Sequence, residues 1–238
     1  MFIKQIDSTN RWLRDKLPQE DGFFVWTDYQ TAGRGQIGNH WESEEGKHIL
    51  VSILIRPQEL AVKKQFRLSM IASLSVVETL NTLCAPFLFQ IKWPNDIYYK
   101  DKKVGGILIE NILSGGKVSD CLFGLGLNIN QTQFISDAPN PISLLQITGK
   151  EYDREAILTA IRFRLIELES LLGDAHYENL KEKYIHSLYR REGMYEYEDA
   201  QGPFQAVFKD IDEAGRIVLE DKDGKERAYL FKQLKYRM

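Results

Sequence analysis

Three short stretches carry the residues with the most chemical potential. Thr31-Ala32-Gly33-Arg34-Gly35-Gln36-Ile37-Gly38-Asn39-His40-Trp41 sets a guanidinium between two glycines and ends on an indole. Open backbone amides and an arginine together make a cradle for an anion, and a tryptophan can close over a flat ring by stacking. Lys92-Trp93-Pro94-Asn95-Asp96 puts a cation and an acid on either side of a tight turn, and Lys103 leads into Gly105-Gly106 shortly after. In Gly124-Leu125-Gly126-Leu127-Asn128, strand alternation puts Gly124, Gly126 and Asn128 on one face and the leucines on the other. The leucine face suits a core. The glycine face fits either a thin ligand or a closely packed neighbour, because glycine weakens a strand unless something must approach it.

Gly33, Gly35 and Gly38 spell G-x-G-x-x-G, the spacing of a dinucleotide-binding turn. That motif needs a strand before it, a helix opening inside it and an acid about 20 residues further on. The strand is expected at residues 23–28. The helix is not, because Asn39 to Gly46 has no apolar stripe, and the acid is replaced by Ser52-Ile53-Leu54-Ile55. The loop therefore reads as a ligand loop or a surface turn, not as a Rossmann fingerprint.

The chain has 238 residues, enough for one large domain and one small one, and its net charge of −3 speaks against nucleic acid as the main partner. Cys84 and Cys121 lack C-x-x-C spacing and read as buried thiols, and the four histidines form no zinc-binding pattern. The N-terminus lacks a signal-peptide pattern and no apolar run reaches membrane-spanning length, so a cytoplasmic location is expected.

The elements that position these residues follow from periodicity. Strands are expected at 2–6, 23–26, 48–55 and 88–93, with a hairpin of 104–113 and 117–128 turning at Ser114-Gly115-Gly116. Ser8 or Thr9 should cap a short helix ending near Leu17. Phe66, Met70, Leu74, Val77 and Leu80 mark a core helix, and 153–172 and 174–189 read as two more. From Met194 the chain alternates between turn signals at Ala214-Gly215 and Asp223-Gly224, which fits five short strands and a small β-barrel. The expected fold is α+β: a mixed β-sheet flanked by helices over residues 1–190, then a small barrel domain over 191–238.

Taken in order, Asp7-Ser8-Thr9-Asn10, the Gln30–Gly35 loop ending in Trp41, Lys92–Asp96, Lys103–Leu108 and Gly124–Asn128 resemble the biotin protein ligases (biotin–[acetyl-CoA-carboxylase] ligases). The C-terminal part resembles that family's SH3-like domain more loosely. The resemblance implies a class II synthetase-like biotin/lipoate ligase fold. It also implies a two-step reaction in which biotin and ATP give biotinyl-5'-AMP, and a lysine of a biotin carrier domain then takes the biotinyl group. Ser8, Thr9, Asn10 and Gln30 would bind the ureido end of biotin. Arg34, Gly35 and Gln36 would wrap its carboxylate and the adenylate phosphate. Lys103 would be the central catalytic cation, with Arg34 the second. Gly106, Gly126 and Asn128 would form the slot wall and adenosine contacts, and Trp41 would stack on adenine. Lys92, Asn95 and Asp96 would serve the ATP phosphates, with Asp96 as ligand to Mg²⁺. Many relatives carry cations where this chain has Gln36 and Asn39, which implies a weaker grip on the intermediate. The motifs begin at Asp7, so the expectation is a ligase without an N-terminal DNA-binding domain and without a DNA partner. A homodimer through a free sheet edge is compatible. Lipoate or octanoyl transfer on the same fold is the alternative, as is a non-catalytic sensor of biotin or nucleotide.

Overall fold

The computed structural model describes residues 1–17, 20–36, 40–135 and 140–237. Its larger sheet has seven strands: β1 (Phe2–Ile6), β2 (Phe24–Gln30), β3 (His48–Ile55), β4 (Phe89–Lys92), β5 (Asp96–Tyr99), β6 (Lys102–Ser114) and β7 (Lys117–Asn128). They lie in the order β1-β2-β3-β7-β6-β5-β4. Only β1 and β2 run parallel, and every other neighbour is antiparallel. β3 is wholly apolar but for His48 and Ser52, and buried along its length, as befits a strand at the centre of a covered sheet.

The two faces of this sheet differ. One carries Ile49, Val51 and Ile53 of β3 and Cys121, Phe123, Leu125 and Leu127 of β7. It is covered by helices α2 (Phe66–Leu83), α4 (Arg154–Glu169) and α5 (Tyr177–His186). Helix α3 (Leu144–Thr148) is a five-residue turn closed by a capping box between Ser143 and Gln146. On the opposite face one end is covered by α1 (Thr9–Asp15), which packs Leu13 and Trp12 on Val25, Leu54 and Leu122. Ser8 caps α1, its hydroxyl accepting from the Arg11 N–H. Beyond α1 that face is left to Ser52, Gly124, Gly126 and Gly106, and the candidate site lies there.

The expected five C-terminal strands are β8 (Met194–Asp199), β9 (Gly202–Ile211), β10 (Ile217–Asp221), β11 (Glu226–Tyr229) and β12 (Lys235–Tyr236). Their order is β11-β10-β9-β8-β12, all antiparallel, so the ladder is open between β11 and β12 among the described residues. Closure as a barrel is thus not made by strand pairing: β12 is only two residues long and pairs with β8 alone. One hydrophobic core runs from α2, α4 and α5 into Tyr197, Ala206, Ile211, Ile217 and Leu219 of this sheet.

The β9–β10 turn locks the small sheet to the large one. Gly215 adopts φ +84° and its carbonyl accepts from the Trp93 indole N–H at 3.0 Å. Arg67, buried in α2, reaches Glu213 of the same turn at 3.0 Å and stacks on Tyr177. A Cβ on Gly215 would collide with the Phe66 ring. Gly215→Ala is expected to lower stability by about 1–3 kcal/mol through backbone strain and overpacking, read as a reduced melting temperature.

Candidate active site

The site crosses the strands rather than following one. Gln30 ends β2, Ser52 lies on β3, Gly124 and Gly126 on β7, Gly106 on β6, Asp96 on β5 and Lys92 on β4. From β2 to β6 is three ladder steps, roughly 14 Å at the usual strand spacing. A cavity of about 460 Å³ opens over this face. Ser8, Thr9, Asn10, Gln30, Arg34, Gly35, Gln36, Trp41, Lys92, Asn95, Asp96, Lys103, Gly106 and Gly126 all line it, so residues from every motif in the sequence meet in one place.

At the β2 end the lining is polar and neutral. The Thr9 backbone N–H donates to Gln30 Oε1 at 2.8 Å, and the Thr9 hydroxyl lies 3.1 Å from the same oxygen. Ser52 Oγ is 2.8 Å from Thr9 Oγ1 and also hydrogen-bonds Asn10 Oδ1. Ser8, Thr9 and Asn10 are nearly fully buried, so these groups must be satisfied by one another or by a ligand.

At the β4–β6 end the lining is charged. Lys103 Nζ pairs with Asp96 at 2.7 Å. Lys92 Nζ donates to Tyr98 OH at 2.9 Å and lies 4.7 Å and 5.0 Å from the rings of Tyr98 and Tyr236. Burial pushes the Lys92 ammonium below the usual lysine range, which Asp96 opposes and Lys103 and Arg190 reinforce. Asn95 has a structural task beside its place in the lining. Its amide N–H donates to the Ile107 carbonyl, and the Ile107 N–H returns to the Asn95 carbonyl at 3.0 Å. That pair fastens the turn to β6 and fixes Asp96 opposite Gly106 in the ladder. Tyr184 OH donates to the Pro94 carbonyl at 3.1 Å from the far side.

Trp41 joins the two ends. Its indole lies over Gly126 and Gly106, and a Cβ on Gly126 would overlap the ring. The glycine slot thus seats a side chain of the chain itself. Lys103 Nζ is 5.8 Å from that ring. The loop that brings Trp41 here is pinched at its base, where the Trp41 N–H donates to the Gly33 carbonyl at 3.1 Å. A Cβ on Gly33 would sit 2.8 Å from the Trp41 carbonyl oxygen, so the pinch requires glycine. Arg34 is exposed beyond it and pairs with His40 across the loop. Ile37, Gly38 and Asn39 lie outside the described residues.

Asn128 is the one expected site residue absent from the described lining of this cavity. Its amide donates to the Ile142 carbonyl at 3.2 Å, one alternation step past Gly126, where the 142–143 segment covers the sheet. It neighbours His48, which is fully buried. Conversely, Lys235 and Tyr236 of β12 line the cavity, with Phe231 and Leu234 of the segment before it, which sequence reasoning missed. So do Trp93, Pro94 and Leu108. Ser52 and Glu110 were missed too, although a lone serine inside an apolar strand is a legible signal of a polar partner.

Among the described residues no group of three or more His, Cys, Asp or Glu side chains gathers to hold a metal ion. Asp96 offers a single carboxylate. That donor set suits Mg²⁺, which keeps waters and phosphate oxygens as its other ligands. No described helix is long and apolar enough to cross a membrane.

With this geometry in hand, the comparisons with known proteins are specific. The profile of the Biotin/lipoate A/B protein ligase family matches residues 2–128, more than half of the chain. The chain belongs to this family. A solved biotin protein ligase from Aquifex aeolicus, in complex with biotin and ATP, superposes with a TM-score of 0.82 at 27% identity, covering 100% of this chain and 97% of that one. The biotin–[acetyl-CoA-carboxylase] ligase of Paracoccus denitrificans is 26% identical over 94% of this chain and 95% of its own length. The bifunctional ligase/repressor BirA of Bacillus spizizenii is 35% identical over 59% of this chain, which spans 44% of that protein. The chain therefore covers about half the length of the bifunctional relatives it matches.

His48 gives the site region a pH signature. Burial lowers its pKa from 6.5 to about 4, against the weaker opposite pull of the Gln131 and Asn128 amides beside it. The unfolded chain takes up this proton first, so the native state loses stability as pH falls from about 6.5 to about 4, and no further loss from this group follows below that. A shift of this size corresponds to roughly 3 kcal/mol. His48→Gln is expected to flatten that limb of a stability-against-pH curve measured by urea unfolding.

Proposed function

We propose that this chain is a biotin protein ligase that activates biotin with ATP and transfers it to a lysine of a biotin carrier domain of a carboxylase. The observation that carries the reading is the graded cavity, neutral and hydrogen-bonding at one end and cationic at the other, with Trp41 between. Biotin has that shape of chemistry: a polar ureido head, an apolar middle and a carboxylate. Lipoate, whose head is an apolar dithiolane, would make no use of the polar groups that Thr9 and Gln30 turn to the cavity. The full-length similarity to ligases of the same kind supports the same reading.

In the first step a biotin carboxylate oxygen bonds to the α-phosphorus of ATP and the bond to pyrophosphate breaks. Both reactants are anions, so the barrier is largely electrostatic, and fixed cations lower it without reorganising. In this reading Lys103 is the central cation. Its pairing with Asp96 at the edge of the glycine floor supports that, because the junction of carboxylate and phosphates would fall there. Arg34 supplies the second cation from the loop, with the Gly35 backbone and Gln36 as neutral donors. Lys92 and Asn95 serve the phosphate end, and Trp41, seated on Gly106 and Gly126, lies against the adenine. Asp96 would hold Mg²⁺, which screens the phosphate oxygens when bound. In the second step the carrier lysine nitrogen attacks the biotinyl carbonyl carbon, an amide forms and AMP departs. Residues 1–190 do the chemistry in this reading, and 191–238 close the phosphate end of the cavity.

Release of pyrophosphate that requires both biotin and ATP, followed by mass spectrometry of a carrier domain offered biotin, lipoate or octanoate, tests the assignment. Biotin alone should appear on the carrier. Binding without pyrophosphate release would make the chain a sensor, and lipoyl or octanoyl product would reassign the substrate. Lys103→Ala is expected to slow adenylation by about 10²–10³-fold, the scale for losing one preorganised charge-stabilising donor. A loss under about threefold would remove Lys103 from the centre of the mechanism.

A further inference from the structure

Behind the neutral end of the cavity, Asn10 joins a polar network whose other members, Glu110, Arg14 and Ser52, have no role in the biotin reading. Asn10 Nδ2 donates to Glu110 Oε2 at 2.8 Å, and Arg14 donates to the other oxygen, Oε1, at 2.8 Å. Asn10 is 4% exposed and its amide presses on the sheet over Gly124, where a Cβ would overlap it. The amide is therefore fixed in place but could still be turned end for end. Glu110 settles which way it points. A carboxylate accepts and does not donate, and Arg14 claims its second oxygen, so Nδ2 must face Glu110 and Oδ1 must face Ser52.

The consequence passes along the network. Ser52 has one hydroxyl proton and two close neighbours, Asn10 Oδ1 and Thr9 Oγ1. Asn10 Oδ1 can only accept, so it takes the Ser52 proton. Ser52 Oγ, 2.8 Å away with its lone pairs free, then takes the Thr9 hydroxyl proton in preference to Gln30 Oε1, which is 3.1 Å away and already accepts from the Thr9 backbone N–H. Thr9 Oγ1 and Gln30 Oε1 then offer lone pairs to the cavity. Two adjacent acceptors at the end of a buried pocket select a ligand with two N–H groups.

We propose that Glu110 is a positioning residue that sets the hydrogen-bond polarity of the ligand-head pocket, through Asn10 and Ser52, so that it receives the two N–H groups of a cyclic urea. The inference rests on the biotin reading above and names a residue outside the cavity lining. It differs from a structural role because it predicts an effect on one substrate only, and one that disappears when Asn10 is gone.

The test measures KM for biotin, KM for ATP and kcat in pyrophosphate release by the full chain. Glu110→Ala should raise KM for biotin about ten- to hundredfold, the range for a lost hydrogen bond to a charged group. KM for ATP and kcat at saturating biotin should stay within about threefold. Asn10→Ala should have a comparable effect, and the double variant should be no worse than Asn10→Ala. Glu110→Gln leaves one oxygen for two donors, so it should also weaken biotin binding, and adding Arg14→Met should restore much of it by removing the competing donor. Unchanged biotin KM in Glu110→Ala, an equal rise in ATP KM, additive effects with Asn10→Ala, or no rescue by Arg14→Met would each overturn the proposal. A wild-type chain with no biotin-dependent turnover would instead overturn the biotin reading, and this inference with it.

Discussion

A side chain can lie flat on a β-sheet only where the strand beneath it has no Cβ, and this constraint organises the molecule. Along the open face of β7 the residues run Leu122, Gly124, Gly126, Asn128. Leu122 packs under α1, Gly124 seats the Asn10 amide and Gly126 seats the Trp41 indole. Asn128 returns to a side chain of ordinary size where the 142–143 segment covers the sheet. The strand thus changes from helix support to cavity floor and back within seven residues. Gly106 on β6 continues the floor sideways, directly paired with Gly126. An alanine at either central position would lift what lies on it and close the cavity from below.

The floor alone would give only a groove. Its chemistry comes from the elements that enter at its two ends. At one end the N-terminus of α1 brings Ser8, Thr9 and Asn10 together because a cap residue must precede the first helical turn, and Gln30 meets them because β1 and β2 are parallel neighbours. At the other end a hairpin turn holds Lys92 and Asp96 in cross-strand register, and Lys103 reaches Asp96 from the next strand. This turn is held from three sides: by β6 through Asn95, by α5 through Tyr184 and by the small sheet through Gly215. Charges that must act on a crowded anion gain from such rigidity, because nothing needs to reorganise when the ligand arrives.

How much of this was legible depended on the range of the interactions. The core strand 48–55 was readable to the residue because an apolar, β-branched run between polar flanks has one interpretation. The 117–128 strand and the five C-terminal strands were readable from alternation and turn signals. β5 was missed because Asp96–Tyr99 is only four residues long, follows a turn signal and has a shifted register against β6. α3 was missed because five residues show no period. The site motifs were legible as segments, but not what each segment touches. The glycine slot read as space for a ligand, whereas Trp41 lies on it. Asn128 shared a face with the glycines without sharing their cavity. The partnership of Asn10 with Glu110 spans 100 residues, and that of Lys92 with Tyr236 joins two sheets. No local pattern encodes either.

The Gly33–Trp41 loop shows why a motif's spacing is weaker evidence than its surroundings. In a dinucleotide fold the three glycines act together at the mouth of a helix. Here the described ones do different things. Gly33 permits the backbone pinch against Trp41, and Gly35 lines the cavity behind Arg34. The pinch has a further effect. The Trp41 N–H bonds the Gly33 carbonyl at the loop base while its indole sits on Gly126 and Gly106, so one residue touches both the loop base and the floor. In the proposed ligase, Arg34 and the neutral Gln36 would meet the adenylate just beyond this pinch, as loop donors that add to Lys103 on the sheet.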